Sequence, residues 1–211
     1  MAFDWTLDRT KYLDRREVRM LRKAAARPSA LAAGHQAKSR FREWFLVELG
    51  LEAGLRVREM AGLRCGDLVL VRGAPAVRVT NGKGGKARTV DVSESFAAEC
   101  RVFLAWKKRH GESVQPDAFL LIGKDGGSAS RRALQRAFKR VAARAGLPGY
   151  YSIHCLRHTY GTLLYEVSGC DIRFVQQQLG HSRVSTTEVY AHVAQRRGRR
   201  SVNRLSRMYR G

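Results

Sequence analysis

The chain has 211 residues, which is enough for one large domain or two small ones with a buried core. Its 44% hydrophobic and 27% charged residues are ordinary for a globular protein and exclude a chain too polar to fold. Forty Lys and Arg residues against 18 Asp and Glu give a formal net charge of +22. Such a charge attracts polyanions, so nucleic acid is the expected class of partner.

Membrane insertion and secretion are not expected. No run of about 18 apolar residues is present, and the N-terminal stretch "MAFDWTLDRT" lacks the charged-then-apolar pattern of a signal peptide. The four cysteines, at positions 65, 100, 155 and 170, are widely spaced and form no CxxC pair. We therefore expect reduced thiols and a cytoplasmic protein.

The N-terminal part of the chain is predicted to be helical. Residues 1–39 form a lead-in with one short helical pattern, which is interrupted near Pro28. A longer helix is predicted in "SRFREWFLVELGLEAG", where Phe41, Phe45 and Leu49 recur every four residues. The glycine that closes this stretch marks the end of the helix.

A small antiparallel sheet is predicted next. Apolar and polar residues alternate on both sides of two turns, "RGAP" and the glycine-rich "NGKGGKAR". This pattern indicates three strands at roughly 68–72, 76–80 and 87–92. The sequence elsewhere is helical in pattern, so the expected fold class is α+β, mainly α-helical with one small three-stranded antiparallel sheet.

Two helices are predicted after the sheet, in "SESFAAECRVFLAWKKRH" and "SRRALQRAFKRVAARAGLPG". In the second, Arg132, Arg136, Arg140 and Arg144 repeat every four residues along one side. A charged face that meets only solvent usually mixes both signs, whereas residues 131–144 carry six basic side chains and no acid. We therefore predict that this face contacts the phosphates of a nucleic acid.

The next helix, in "YSIHCLRHTYGTLLYEVSG", places His154, Arg157, His158 and Gly161 on one side at spacings of three and four. The stretch "DIRFVQQQLG" predicts a short helix from an Asp cap to a glycine, with His181 just beyond its end. At 185–188, "STTE" fits a capping box that begins another helix, and Tyr190 would lie in its first two turns. Residues 191–211 carry seven arginines, which predicts a basic tail.

Four separated stretches thus offer polar groups suited to phosphoryl transfer on nucleic acid. They are "GLRVREMAGL", the glycine-rich turn, "HCLRHT" and the segment from "LGH" to the tyrosine nine residues later. Arginine, histidine and lysine side chains can stabilise and protonate such a reaction without a metal ion. The turn fails the pattern of a nucleotide-binding P-loop. A zinc site built on His154, His158 and Cys155 or His181 stays a minor alternative, because the HExxH pattern is broken.

The ordered set GLRxxE, GKGGKxR, HxLRHT and LGH followed by Tyr resembles the tyrosine recombinase (phage integrase) family over roughly residues 10–195. The resemblance implies that family's catalytic-domain fold, double-stranded DNA as the partner and no cofactor or metal. It also implies the following catalytic set: Arg56, Lys83, His154, Arg157, His181 and Tyr190, with Glu59 as a supporting acid.

The resemblance further assigns a role to each of these residues. The two arginines would clamp the scissile phosphate, and the two histidines would bind its non-bridging oxygens. The lysine would protonate the departing 5′-hydroxyl, and the tyrosine would attack phosphorus to form a 3′-phosphotyrosyl link. His158 is interpreted as a packing or supporting residue. The predicted DNA contacts are Lys86, Arg88, Arg132, Arg136, Arg140 and Arg144.

On this basis we expect a site-specific DNA recombinase or integrase of the kind carried by mobile genetic elements. It would be a monomer when free and a homotetramer on two duplexes. The alternatives are DNA relaxation of the type IB topoisomerase kind, and a DNA-binding regulator that keeps the fold without the reaction. The expected division is a lead-in at 1–39, a catalytic domain at 40–195 and a basic tail at 196–211. Typical members carry a further N-terminal DNA-gripping domain, so the chain is either a fragment or a minimal recombinase.

Overall fold

Seven α-helices and three β-strands build most of the part of the chain that the structure, a computed structural model, describes: residues 8–29, 34–80 and 87–181, together with Thr187 and Tyr190. In chain order they are α1 (Arg15–Ala25), α2 (His35–Ala53), α3 (Val57–Gly62), β1 (Leu68–Val69), β2 (Ala76–Val79), β3 (Arg88–Asp91), α4 (Glu94–Arg109), α5 (Arg131–Arg144), α6 (His154–Val167) and α7 (Ile172–Leu179). The predicted fold class, mainly helical with one small antiparallel sheet, is confirmed.

The sheet has the order β1-β2-β3, and both pairs are antiparallel. Val77 pairs with Leu68 on one side and with Val90 on the other, and all three side chains are buried. Each strand is shorter than predicted, since the alternating pattern runs on into the turns. The lysine-bearing turn, with Lys83 and Lys86, lies outside the described residues.

Capping residues next to the helix ends set most helix boundaries. Four helices begin at a side chain that accepts a backbone N–H of the first turn: Asp14, Ser93, Ser130 and Asp171. Each such cap stabilises a helix by about 1 kcal/mol. Gly54 and Gly180 end α2 and α7 in the left-handed conformation, with φ of 57° and 64°. Most of the capping box predicted at 185–188 lies outside the described residues.

An aromatic stack joins α2 to α4 in the core. The Phe45 and Phe103 rings are parallel with centroids 3.8 Å apart, and Phe41 lies parallel to Trp106 at 4.7 Å. On another side, α2 packs against α6 so closely that a Cβ added to Gly50 would lie 2.5 Å from a Leu156 methyl carbon. This close approach fixes α6, and with it Arg157, relative to the end of α2.

The predicted lead-in packs into the same core. Leu13 and Leu21 are fully buried in the cluster that contains the side chains of α2. The backbone N–H of Leu13 donates a hydrogen bond to the Thr159 hydroxyl on α6 at 2.8 Å. Residues 8–29 are therefore packed against the helices that follow, while the proposed domain boundary at residue 39 stays a prediction.

No helix among the described residues is both long and apolar enough to cross a membrane. The four cysteines are free thiols, and three of them are buried. Burial raises the pKa of the Cys100 thiol to about 12, which makes this side chain an unreactive part of the core.

Glu48 gives a first testable prediction. Burial raises the pKa of this carboxyl on α2 to about 7, although the charge of Arg22 acts to lower it. A carboxyl whose pKa is raised on folding destabilises the protein as pH rises from its unfolded pKa to its folded pKa. Glu48→Gln should therefore gain about 2 kcal/mol of stability relative to the wild type between pH 5 and pH 8.

The measurement is urea unfolding of both proteins at pH 5 and at pH 8. The difference between the two proteins is the relevant quantity, because histidines with lowered pKa shift the pH dependence of both in the opposite direction. If the two proteins differ in free energy of unfolding by the same amount at pH 5 and at pH 8, Arg22 keeps Glu48 ionised throughout.

Candidate active site

Glu59 holds two arginines at the start of α3. The Arg56 backbone N–H donates to Oε2 of Glu59 at 2.7 Å, and the Arg56 guanidinium donates to Oε1 at 2.9 Å. Arg88, from β3, donates to both oxygens of the same carboxylate at 2.8 and 3.0 Å. The Glu59 side chain is only 2% exposed, so its pairing with Arg56 is not a surface ion pair.

The charge of Glu59 is stabilised by this surrounding. Burial acts to raise the pKa of its carboxyl, but hydrogen bonds from Arg88 and from the Arg56 backbone, with the charges of Arg88 and Arg157, lower it to about 2. Glu59 is therefore ionised at physiological pH and acts as a fixed anion. The supporting role that the family resemblance implies for it stays a prediction.

Arg157 joins the ends of two helices. Its guanidinium donates to the carbonyl of Gly54, the C-cap of α2, at 2.8 Å and to the carbonyl of Leu179, the last residue of α7, at 2.7 Å. Its side chain is 7% exposed. Burial and the nearby charge of Arg56 lower its pKa to about 10, so the guanidinium stays protonated at neutral pH.

The two predicted catalytic histidines differ in environment. His154 lies in the first turn of α6, where partial burial of its ring and the nearby charge of Arg157 lower its pKa. His181 follows α7, with Nδ1 2.9 Å from the Thr187 hydroxyl. Burial and the charge of Arg157 lower the pKa of His181 to about 3. When the hydroxyl donates to Nδ1 of this neutral ring, Nε2 carries the proton and can donate to a phosphate oxygen.

Tyr190 is buried beside the rings of His158 and His181. Its ring is parallel to that of His181 within 7°, with centroids 6.4 Å apart. Its hydroxyl lies 3.4 Å from Nδ1 of His158. A Cβ added to Gly161 of α6 would come within 2.6 Å of Cζ of Tyr190, so the absence of a side chain at 161 makes room for this ring.

The tyrosine hydroxyl is protonated in this arrangement. Burial raises the pKa of Tyr190 to about 12, even though the charges of Arg157 and Arg56 lower it. Burial, together with the charge of Arg157, lowers the pKa of His158 to about 4, so its ring is neutral. A neutral imidazole nitrogen can accept the hydroxyl proton. His158, which the sequence analysis treats as a packing or supporting residue, contacts the predicted nucleophile directly.

Two of the four arginines on the basic face of α5 pair with one acid from another helix. Arg140 and Arg144 each pair with Glu43 of α2 at 2.7 Å. Arg132 and Arg136 line an open groove of about 540 Å³ beside Val57, the residue that follows Arg56. Arg136 also lines a second cavity together with Glu43 and Arg140, so this acid lies near three of the four arginines. DNA contact by the α5 arginines stays a prediction.

Arg88 is also paired inside the protein. Its side chain is 11% exposed and points to Glu59, whereas we predicted a DNA contact in the hairpin. Lys83 and Lys86 lie outside the described residues, so their roles stay predictions. Within the described ranges, no three His, Cys, Asp or Glu side chains are grouped as metal ligands.

The N-terminal segment reaches the site as well. Thr10 and Lys11 line a cavity of about 200 Å³ together with His154 and His158. No local sequence pattern pointed to Lys11, because its position depends on packing between segments more than 140 residues apart, such as Leu13 and Thr159. Sequence analysis likewise missed Thr187 and the inward contact of Arg88.

Comparisons with known proteins identify the family of this chain. Residues 11–197 match the model of the phage integrase family. The tyrosine recombinase XerC of Xanthomonas campestris pv. campestris (strain B100) is 40% identical over 152 residues, which cover 72% of this chain and 44% of that protein. XerC of Caldanaerobacter subterraneus subsp. tengcongensis is 35% identical over 164 residues, covering 77% and 44%.

Among solved structures, the XerH site-specific recombinase in a pre-cleavage complex with its difH substrate has a TM-score of 0.73 to this chain. The two are 26% identical, and the match covers 89% of this chain and 51% of XerH. The chain spans less than half the length of the two curated relatives. The chain thus belongs to the phage integrase family, with the fold of a tyrosine recombinase catalytic domain.

Proposed function

We propose that the chain is the catalytic part of a site-specific DNA recombinase that breaks and rejoins DNA through a 3′-phosphotyrosyl intermediate. The observation that carries this proposal is the setting of Tyr190. It is buried beside two neutral imidazoles, those of His158 and His181, and the charges of Arg56 and Arg157 act on its hydroxyl. A phosphodiester drawn to these cations would meet the hydroxyl there.

In the proposed reaction, Oη of Tyr190 bonds to phosphorus as the bond from phosphorus to the 5′-oxygen breaks. The phenol proton passes to a neutral imidazole, and Lys83 gives a proton to the departing 5′-oxygen. Arg56 and Arg157 stabilise the added negative charge of the transition state. Attack by a 5′-hydroxyl on the phosphotyrosyl link reverses these steps, so rejoining needs no external energy source.

Double-stranded DNA is the proposed partner. The net charge of +22 favours a polyanion, and the related XerH structure is a complex with its difH substrate. Because exchange between two duplexes requires four strand cuts and each chain supplies one Tyr190, we propose a homotetramer on DNA and a monomer when free. A cytoplasmic location is proposed with this partner.

The relatives favour recombination over the two alternatives, DNA relaxation and a silent DNA-binding regulator. The proteins matched over most of this chain are named as recombinases. A silent regulator is further disfavoured because all six implied catalytic positions are filled in the sequence.

The test is covalent capture from a pool of nicked duplexes with randomised arms. A nick beside the cleavage position lets a short product diffuse away, so the covalent intermediate accumulates. The wild type should give a protein–DNA adduct on a denaturing gel, and sequencing the captured DNA should give the site. Tyr190→Phe keeps the buried ring and removes only the hydroxyl, so it should bind the same DNA and form no adduct.

Two outcomes would contradict the proposal. One is an adduct that survives in Tyr190→Phe, since the nucleophile would then be another residue. The other is a wild type that binds the pool at saturation and yields no adduct. Rejoining to a second duplex in the presence of a 5′-hydroxyl strand would separate recombination from simple relaxation, which reseals the same strand.

A further inference from the structure

The Arg88 side chain, 11% exposed, lies where three active-site segments meet. It begins β3, its two terminal nitrogens bind the Glu59 carboxylate of α3, and its Nε donates to the carbonyl of Gln178 in α7 at 3.2 Å. Each of these contacts is an ordinary hydrogen bond in length. A bidentate arginine–carboxylate pair also fixes the direction of both side chains.

The backbone of α7 is shaped around this arginine. Gly180 ends α7 in the left-handed conformation, and a Cβ added there would lie 2.5 Å from Cδ of Arg88 and 2.8 Å from its Nε. The Arg88 side chain therefore lies against the residue that directly precedes His181. Arg88 can occupy this position only because residue 180 is a glycine. In turn, the Arg88 side chain limits the path of the backbone from Gly180 into His181.

We infer that Arg88 is a positioning residue for DNA cleavage, which holds Glu59 and the end of α7 in place and does not contact DNA. This inference rests on the proposed function. Through Glu59 it orients Arg56, which shares the same carboxylate. Through Gln178 and Gly180 it fixes His181. One side chain thus sets the relative position of two groups that would bind the scissile phosphate.

The charges around Arg88 indicate that it binds the Glu59 carboxylate and not a DNA phosphate. The Glu59 carboxylate accepts four hydrogen bonds, two from Arg56 and two from Arg88. A phosphate could bind Arg88 only after these two bonds were broken, which would leave a buried carboxylate half-satisfied. Lysine has no planar fork and could not replace both bonds.

The test separates binding from cleavage in Arg88→Gln and Arg88→Lys. Binding to the captured duplex is measured at several salt concentrations, with Tyr190→Phe added so that no chemistry occurs. Cleavage is measured as the single-turnover rate of adduct formation at saturating protein. We expect the Kd and its salt dependence to stay within about twofold and the saturating rate to fall about 100-fold, as expected for misplaced catalytic groups.

Two matched controls remove one arginine each. Arg78 lies on the exposed side of β2 in the same sheet, and the Arg78→Gln variant should cleave at the wild-type rate. Arg132→Gln, at a predicted phosphate contact, should weaken binding and lower the slope of log K against log salt by about 1. An Arg88→Gln protein that behaved like Arg132→Gln in binding would overturn the inference.

Arg88→Gln could also unfold the protein, because Glu59 would keep a buried charge with half its partners. The double variant Arg88→Gln/Glu59→Gln removes that charge and should recover thermal stability. Its cleavage rate should be no lower than that of Arg88→Gln, since both residues act through one contact. Recovery of the wild-type rate in the double variant would show that folding alone had been affected and would overturn the inference.

The wild-type adduct is the internal reference for these experiments. If the wild type forms the adduct and Arg88→Gln forms it equally fast, only the positioning role of Arg88 is wrong. If the wild type forms none, the proposed function fails and the positioning role fails with it.

Discussion

Arg157→Met should lower the single-turnover rate of adduct formation by about 10²–10³-fold, the usual loss when one preorganised stabilising group is removed. The guanidinium is held by the Gly54 and Leu179 carbonyls and acts electrostatically on Tyr190. Methionine fills similar space without charge or donors. The measurement is adduct formation on the nicked duplex at saturating protein, with circular dichroism to confirm the fold.

Arg157→Lys is the matched control for charge. A lysine has one nitrogen and cannot occupy both carbonyl positions as the arginine fork does, so we expect a rate between those of Arg157→Met and the wild type. Each carbonyl left without a donor costs about 1–3 kcal/mol, which should also lower the Tm of both variants. Cleavage by Arg157→Met within about threefold of the wild type would exclude Arg157 from the reaction.

Glu112→Gln should destabilise the protein by about 3–5 kcal/mol, the range for removing one partner of a buried ion pair. Lys107 is fully buried, and its Nζ lies 2.7 Å from one oxygen of Glu112, while Arg42 lies 2.6 Å from the other oxygen. The glutamine would leave two cations beside a neutral amide. Urea unfolding monitored by tryptophan fluorescence is suitable for this test. Trp106 directly precedes Lys107 in the sequence, and the Arg42 guanidinium lies over its ring.

Lys107→Met provides the comparison within the same cluster. It removes one cation and leaves the pair of Arg42 with Glu112, so its cost should be smaller than that of Glu112→Gln. The double variant Lys107→Met/Glu112→Gln should recover part of the lost stability, since no uncompensated lysine remains. A larger loss from Lys107→Met than from Glu112→Gln would show that Glu112 is not the shared anion of this cluster.

The elements that sequence analysis predicted well are those set by local signals. The cap at Asp171 and the glycine ends at Gly54 and Gly180 depend on residues within one helical turn. The sheet follows from alternation of apolar residues about short turns. These signals are complete in the sequence itself, so the fold class and the order of the strands and longer helices could be predicted, whereas the six-residue helix α3 was not.

The use of each arginine could not be predicted, because it depends on partners far away in the chain. Arg140 and Arg144 meet Glu43 across 97 and 101 positions, and Arg88 meets Glu59 across 29. A count of charges along one helix does not include an acid that another helix supplies. The family resemblance located the implied catalytic positions, but it could not show which basic side chains are already paired inside the protein.

The two carbonyls that hold Arg157 come from helices at opposite ends of the catalytic fold in sequence. A nascent chain that has folded α2 and α6 but has not yet docked α7 lacks the Leu179 acceptor, and its arginine has only one anchor. Such a chain has an incomplete phosphate clamp. For a protein with the proposed activity, competence to cut DNA would then require α7 to be docked.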